Sequence, residues 1–314
     1  MLGFVIRRLL ALIPLLLIVS FLVYALVLLV PGDPARNLLG LRATPQEVAA
    51  KRHDLGLDRP FVSQYGTWLG HAVQGDLGDS WFRNSHVATE ISERFPVTFS
   101  MALGAIVLTI LLGIPAGLLA GTRPGSIWDR IVSVGSSAGI AVPDFWLAIT
   151  LVIIFAVQLH VLPAIGYVPF SDSPVEWATH LYLPWLALGL PGAAAIARQM
   201  RGAIIDALEQ DYVRTAAAKG LRGRAIVLKH ALKNAALAPV TVIGLTFAYM
   251  LGGTVILENI FSINGIGDYF YRALSAQDIP VIQGCILVFA LVFLACNLVV
   301  DVLYGYLNPR VRVA

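Results

Sequence analysis

Asp211-Tyr212-Val213-Arg214-Thr215-Ala216-Ala217-Ala218-Lys219-Gly220-Leu221 stands between two long apolar runs. Behind it come Arg222, Arg224, Lys229, the run His230-Ala231-Leu232-Lys233-Asn234-Ala235, and Pro239. A loop that only joined two apolar helices needs a few polar residues. This segment carries a helix plan of its own. Asp211 suits an N-cap, residues 212–219 make two turns, and Gly220 supplies a left-handed stop. Lys219 in the last turn complements the helix dipole. Eight residues span roughly 12 Å, and the small centre, residues 215–218, lets another chain approach closely. The segment reads as a short helix built to be held by a partner, on the cytoplasmic side of a membrane.

Composition puts the remainder in that membrane. The chain is 58% hydrophobic and 13% charged, with mean hydropathy +0.78, far above a soluble domain's apolar share. Length is then counted in spans of ~20 residues. Six are predicted, at about 5–30, 97–121, 131–159, 181–197, 237–257 and 281–307. Pro184 and Pro191 interrupt the fourth, which a buried, kinked helix tolerates.

Orientation follows from Lys and Arg. With the N-terminus cytoplasmic, the inner segments hold Arg7 and Arg8; Arg123 and Arg130; Arg198, Arg201, Arg214, Lys219, Arg222, Arg224, Lys229 and Lys233; and Arg310 and Arg312. The short outer loops, about 160–180 and 258–280, hold only Arg272. The outer segment 31–96 has seven basic residues, but segments over ~60 residues are largely exempt. Both termini are therefore placed inside. The net charge of +3 reflects this topology, and nothing suggests nucleic acid as a partner.

Arg7-Arg8 before an apolar run imitates a signal peptide. The run is too long and ends in Pro31-Gly32-Asp33-Pro34 rather than a cleavage site, so an uncleaved first span is expected. Cys285 and Cys296 are eleven residues apart, roughly 16 Å along a helix, too far for a disulfide. They read as small buried hydrophobes, and no metal-ligand spacing exists.

Within 31–96, Thr44-Pro45-Gln46-Glu47 is a capping box with Pro at the first helical position. That helix should stop near Gly56, and Leu57-Asp58-Arg59-Pro60 is a turn. A second helix is predicted from about 61 to 73, with Tyr65, Trp68 and Leu69 on one face, ended by Gly75-Asp76-Leu77-Gly78. The segment is either a solvated cap or a docking surface. Sixty ordered residues exceed what a connection needs, which favours docking, with Tyr65 and Trp68 as candidates.

No Gly precedes a Lys anywhere, so the chain has no P-loop, and no catalytic residue is assigned. Gly135-Ser136-Ser137-Ala138-Gly139 fits G-x-S-x-G, but that motif needs a strand–turn–helix elbow and here it lies in an apolar helix. Such Ser/Gly/Ala runs are packing surfaces. So is Gly113-Ile114-Pro115-Ala116-Gly117 with Gly121, either for an internal contact or for a partner span.

Ionisable residues inside spans are weighed singly. Asp144 follows Pro143, where a kink is expected. It is either satisfied by a neighbouring helix or part of a pathway, with Phe145, Trp146 and Asn297 as companions. Asn297 also reads as an interhelical hydrogen bonder. Asp301 reads as an anchor for Arg310 or the basic loop. Glu258 and Asp268 flank the outer end of the fifth span, lining an outer mouth or solvated.

The chain resembles the membrane subunit of a bacterial ATP-binding-cassette importer of the dipeptide/oligopeptide/nickel permease family. The resemblance covers nearly the whole chain. It rests on Pro31-Gly32-Asp33-Pro34, Leu55-Gly56-Leu57-Asp58-Arg59-Pro60, Gly75-Asp76-Leu77-Gly78, and Pro143 with Phe145-Trp146. It continues through residues 211–221 and 230–235, Glu258 with Phe261 and Gly265-Ile266-Gly267, and Asn308-Pro309-Arg310. Residues 211–235 are similar to that family's ATPase-coupling ("EAA") loop. Arg214-Thr215 occupies the places of Glu-Ala, so no ion pair built on that Glu carries over. Lys233 stands where many such permeases have Pro.

The resemblance implies an all-α integral membrane protein with the type I importer permease fold. Its parts would be a first transmembrane helix (1–30), an extracytoplasmic helical domain (31–96) and a five-helix core (97–314) holding a coupling loop at 198–236. It implies a bacterial inner-membrane location and four kinds of partner: the lipid bilayer, a homologous second permease, two cytoplasmic ATPase subunits and an extracytoplasmic solute-binding protein. The chain carries no cofactor; ATP and Mg would sit on the ATPases. The coupling residues would be Asp211, Tyr212, Arg214, Thr215, Ala216, Ala217, Ala218, Lys219, Gly220 and Leu221. The alternative is an ion-coupled secondary transporter or channel with Asp144 as its ion site, which leaves the 211–235 helix without a purpose.

Overall fold

The computed structural model describes residues 2–25, 33–40, 42–83 and 85–307. Among them the chain is helical, without strands; an isolated bridge joins Asp79 and His86. The helices are α1 (Leu2–Ala25), α2 (Pro34–Leu39), α3 (Pro45–Asp54), α4 (Phe61–Val73), α5 (Val87–Gly121), α6 (Ile127–Ala141), α7 (Asp144–Leu151) and α8 (Pro174–Leu208). They continue as α9 (Asp211–Ala218), α10 (Gly223–Ala225), α11 (Leu232–Ala235), α12 (Leu237–Ile260), α13 (Ile266–Ala276) and α14 (Ile279–Leu307). A wider, π-wound stretch extends α7 over Val152–Gln158, and another, Ile226–Ala231, joins α10 to α11.

Four helical stretches are long and apolar enough to cross a bilayer: Val87–Gly121, Pro174–Leu208, Pro239–Ile260 and Ile279–Val302. The pair Ile127–Ala141 and Asp144–Gln158 makes a fifth if counted as one span, although it bends by 102° at its break. The apolar part of α1, Leu10–Ala25, is shorter. The described residues therefore give four or five of the six predicted spans. Residues 26–30 of the first predicted span, Pro31, Gly32, Asn308-Pro309-Arg310 and Arg312 lie outside the described residues.

The kink expected at Pro143 is a complete break. Val142 (ψ 124°) and Pro143 (ψ 139°) are both extended. Proline has no N–H to continue a helix and pushes the preceding residue out of the helical region. Pro184 and Pro191, by contrast, stay inside unbroken α8. Helix α8 runs through the buried centre, where neighbours stabilise a distorted backbone. Two helices outrun their apolar windows: α5 starts at Val87 rather than 97, and α8 covers Pro174–Leu208 rather than 181–197.

Helices α5 and α8 meet along a glycine seam. A Cβ on Gly113, Gly117 or Gly121 would lie 2.8, 2.5 or 2.8 Å from the carbonyl oxygens of Ala193, Ala197 and Arg201. The four-residue step on both helices is the small-residue packing of membrane helices, and it decides for an internal contact. The main core joins α5, α7, α8 and α12 around Met101, Leu181, Leu188, Met250 and Phe261.

Among the described residues, several hydrogen bonds tie the segment before α5 to the bundle. The capping box at Thr44 forms as predicted, with Glu47 reaching back to the Thr44 N–H at 2.8 Å. Helix α4 has the predicted bounds, and Tyr65 meets Ser20 of α1 at 2.9 Å. Past Gly78, Ser80 donates to Asp278 at 2.5 Å, and the Trp81 N–H reaches the same carboxylate at 3.2 Å. Asn37 of α2 bonds to Gln277. Asp301 is paired with Arg8 of α1 at 3.1 Å, not with the basic loop.

Candidate coupling surface, membrane cavity and outer junction

Helix α9 forms where the sequence places it, with one change of role. Gln210 is the N-cap and makes no side-chain cap bond; Asp211 is the first helical residue, its charge near the helix N-terminus. The C-terminus ends as predicted. Gly220 has φ +80°, and its N–H reaches the Ala217 carbonyl (2.9 Å) while that of Leu221 reaches Ala216 (3.3 Å). This double closure is the Schellman motif, and the left-handed residue in it favours glycine.

Val213 and Ala216 are buried against Ile226 and Leu208. Ala216, expected on the presented surface, therefore lies underneath α9 instead, because the i, i+3 step puts it on Val213's face. Tyr212, Arg214, Thr215, Ala217, Ala218, Lys219, Gly220 and Leu221 are exposed. The outward face is small in the middle and carries Lys219 at one end and Arg214, paired with exposed Asp211 at 3.5 Å, at the other. Beside it lies a cleft of about 390 Å³, lined by Asp206, Gln210, Tyr212 and Asn234 among others.

Asp144 opens α7 directly after the break. It lines a cavity of about 510 Å³ between the ends of α6 and α7 and the sides of α8 and α12, together with Pro191, Thr246 and Tyr249. A Cβ on Gly253 would be 3.6 Å from the Asp144 carboxylate. The break thus turns the one acidic side chain of α7 into a recess in the bundle. Phe145 and Trp146 are exposed on α7, and Asn297 stands on α14. None of these three lines the cavity among the described residues.

The outer end of α12 departs most from expectation. Glu258 is fully buried and Asp268 is 4% exposed. Glu258 therefore neither lines a mouth nor is solvated. It accepts the Thr98 hydroxyl (2.7 Å) and the Asp268 N–H (2.9 Å). Its carboxylate serves as an N-cap for α13 delivered from another helix, which matches the donors exposed at a helix start. Thr98 in turn accepts the Ile266 N–H at 2.8 Å. A Cβ on Gly265 would stand 2.5 Å from that carboxylate, and one on Gly267 would stand 2.6 Å from the Val255 Cα. The Gly265-Ile266-Gly267 turn is closed around Glu258. Asp268 pairs with Arg272 at 2.9 Å.

Tyr65 and Trp68 are half-buried, with their rings on α1. Tyr65 lies 5.3 Å from Phe21, and Trp68 lies 5.4 Å from Tyr24, centroid to centroid. These distances suit aromatic pairing. Sequence reasoning missed Thr98 and Asp278, whose partners are 160 and 198 residues away. It also missed the Asp129–Arg201 pair, in which Arg201 Nη2 meets Asp129 at 3.0 Å. The latter had a local signal: Ser126 caps α6 and accepts the Asp129 N–H. Ser137 lies within α6 and donates to the Ser133 carbonyl at 3.0 Å, with no strand–turn–helix elbow around it.

Comparison with known proteins identifies the family and the fold. The family described as "Binding-protein-dependent transport system inner membrane component" matches residues 113–313, and its N-terminal counterpart matches residues 1–102. A candidate peptide transport system permease protein of Brucella abortus is 41% identical over 312 residues, covering 99% of both chains. The glutathione transport system permease protein of Escherichia coli K12 is 42% identical over 312 residues, again covering 99% of both. Among solved structures, an inward-facing form of the MetNI methionine ABC transporter aligns with TM-score 0.57 at 17% identity, covering 70% of this chain and 96% of that one. The fold is shared with that transporter. By family match and full-length relatives, the chain belongs to the binding-protein-dependent transport system inner membrane components, as the permease subunit of an ATP-binding-cassette importer.

Proposed function

We propose that the chain forms half of the translocation pathway of an importer for peptides or peptide-like solutes. The observation that carries this reading is α9, a short helix closed at Gly220 whose exposed face is small in the middle and bears Lys219 and the Asp211–Arg214 pair. Such a surface fits a docking groove on a cytoplasmic ATPase. A homologous second permease completes the pathway, one ATPase stands under each, and an extracytoplasmic binding protein delivers the solute. ATP and Mg2+ reside on the ATPases. The basic residues around α9 favour a cytoplasmic position for it and for both termini. Counting α1 and the bent pair as spans gives six, with residues 31–96 outside. The names of the full-length relatives favour a peptide-like solute. The cavity at Asp144 is a candidate stretch of the pathway.

The test is purification with native partners, followed by uptake in proteoliposomes. ATPase subunits should co-purify, and labelled dipeptide or glutathione should enter only with ATP and binding protein present. Gradient-driven flux by this chain alone would support the ion-coupled carrier instead, a reading that assigns α9 nothing to do.

A further inference from the structure

The turn Leu55-Gly56-Leu57-Asp58-Arg59-Pro60 has no part in the coupling or pathway reading. It forms the lip of a cavity of about 230 Å³ at the end of the bundle remote from α9. Walls come from Tyr24 at the outer end of α1, Trp68 of α4, Trp81, and Gln283 near the start of α14. It has room for several waters of roughly 30 Å³ each.

Two buried hydrogen-bond donors in its lining lack acceptors among the described residues. Gln283 is 4% exposed, and its side-chain nitrogen has no acceptor among the described residues. The same holds for the indole N–H of Trp68. Arg59 also lines the cavity and makes no ion pair among the described residues. The adjacent carboxylate, Asp58, pairs with His53 at 2.7 Å and also feels the Arg59 charge. The Gln64 amide is already committed, accepting from Tyr24 and donating to the Arg59 carbonyl. Among the described residues no carboxylate lines the cavity. Buried donors require acceptors, and an exposed guanidinium lining the same cavity as two unpartnered N–H groups suits a tetrahedral oxyanion. Tyr24, Trp68 and Trp81 surround it with the aromatic rings that collect at a membrane–water interface.

We propose that this cavity binds a phosphate-type oxyanion, held by Arg59, Trp68 Nε1 and Gln283. Two sources share that chemistry: the phosphodiester of a phospholipid headgroup and free phosphate. The site lies apart from α9 and from the Asp144 cavity, so it stands or falls independently of the transport reading.

The experiment uses the assembled, delipidated complex in detergent, titrated separately with inorganic phosphate and with phosphatidylglycerol in mixed micelles. Thermal unfolding midpoint and tryptophan fluorescence are read. Trp68→Phe keeps the ring and removes the N–H; Arg59→Gln removes the charge; Arg59→Lys restores it. Wild type should be stabilised by at least one probe. Trp68→Phe and Arg59→Gln should each weaken that response about tenfold, with partial recovery in Arg59→Lys. A response to phosphatidylglycerol alone identifies a headgroup; a response to phosphate alone, or to both equally, identifies a site for the free ion. Absence of any response in wild type overturns the proposal, as does an equal response in wild type and both weakened variants. Should a variant fail to assemble, density in the wild-type cavity from a phosphatidylglycerol nanodisc decides. A tetrahedral feature at Arg59 supports the site, and isolated waters overturn it.

Discussion

Thr98 on α5 donates its hydroxyl to Glu258 on α12 at 2.7 Å, and the same oxygen accepts the Ile266 N–H at 2.8 Å. One small side chain therefore joins three helices. Thr98→Val preserves shape but leaves a buried carboxyl oxygen and a buried N–H unmatched. The expected loss is about 1–3 kcal/mol, read as a lower unfolding midpoint of the purified complex. Thr98→Ser should stay near wild type. Equal midpoints for all three would remove Thr98 from the junction.

The glycine seam predicts a sharp contrast between two substitutions. At Gly117 an added Cβ meets the Ala197 carbonyl at 2.5 Å, whereas at Gly135 nothing lies within 4 Å. Gly117→Leu should cost about 1–3 kcal/mol or more from overpacking and lower the yield of folded protein. Gly135→Ala, in the interior of α6, should raise stability by up to ~1 kcal/mol. Comparable yields and midpoints for the two would sink the seam.

Coupling should fail without loss of assembly when α9 is altered on its outer face. Gly220→Val places a β-branched residue at φ +80°, where L side chains are disfavoured by roughly 1–2 kcal/mol. Ala217→Trp adds bulk at the exposed centre. Both variants should assemble with ATPases or lose only part of that affinity, yet transport less solute per ATP hydrolysed. Wild-type stoichiometry in either variant would contradict the coupling role.

A cysteine at 144, in a background with Cys285 and Cys296 replaced, should react with a membrane-impermeant thiol reagent in one state of the ATP cycle. Labelling confined to one state places the cavity on the pathway. Protection in every state gives Asp144 a purely structural part.

The turn at residues 55–60 should respond to pH through His53 and Asp58, 2.7 Å apart. That hydrogen bond raises the His53 pKa above its ordinary 6.5 and lowers that of Asp58 below 3.8. A raised histidine contributes fully below 6.5 and loses its contribution as pH rises through the folded value. A lowered carboxylate contributes fully above 3.8 and loses it as pH falls through the folded value. The pair is therefore complete between these two ordinary values. Amide exchange in the turn, corrected for intrinsic rate, should be slowest near pH ~5 and faster at pH ~8. His53→Gln should flatten the profile, and an unchanged profile in that variant would refute the assignment.

Local chemistry was legible. The capping box at Thr44, the bounds of α4 and the Gly220 stop all depend on residues a few positions apart, and all form as read. The ends of α5 and α8 were not legible from apolar windows. Such windows register the length inside hydrocarbon, and these helices continue past it through Glu90, Glu93 and Arg94, or through Arg198 and Arg201. The buried state of Glu258 was hidden for another reason. Nothing near it in sequence announces Thr98, and a carboxylate beside a Gly-rich turn looks solvated until the turn is seen closed around it.

The seam between α5 and α8 also has a mechanical meaning. Where backbones touch, neither helix can slide without lifting over carbonyl oxygens, so the two form one beam. Helix α8 has 35 residues, roughly 52 Å at the helical rise, and only Glu209 and Gln210 separate its end from α9. A push applied to α9 therefore reaches the opposite rim of the bundle through a stiff rod rather than through a chain of flexible joints.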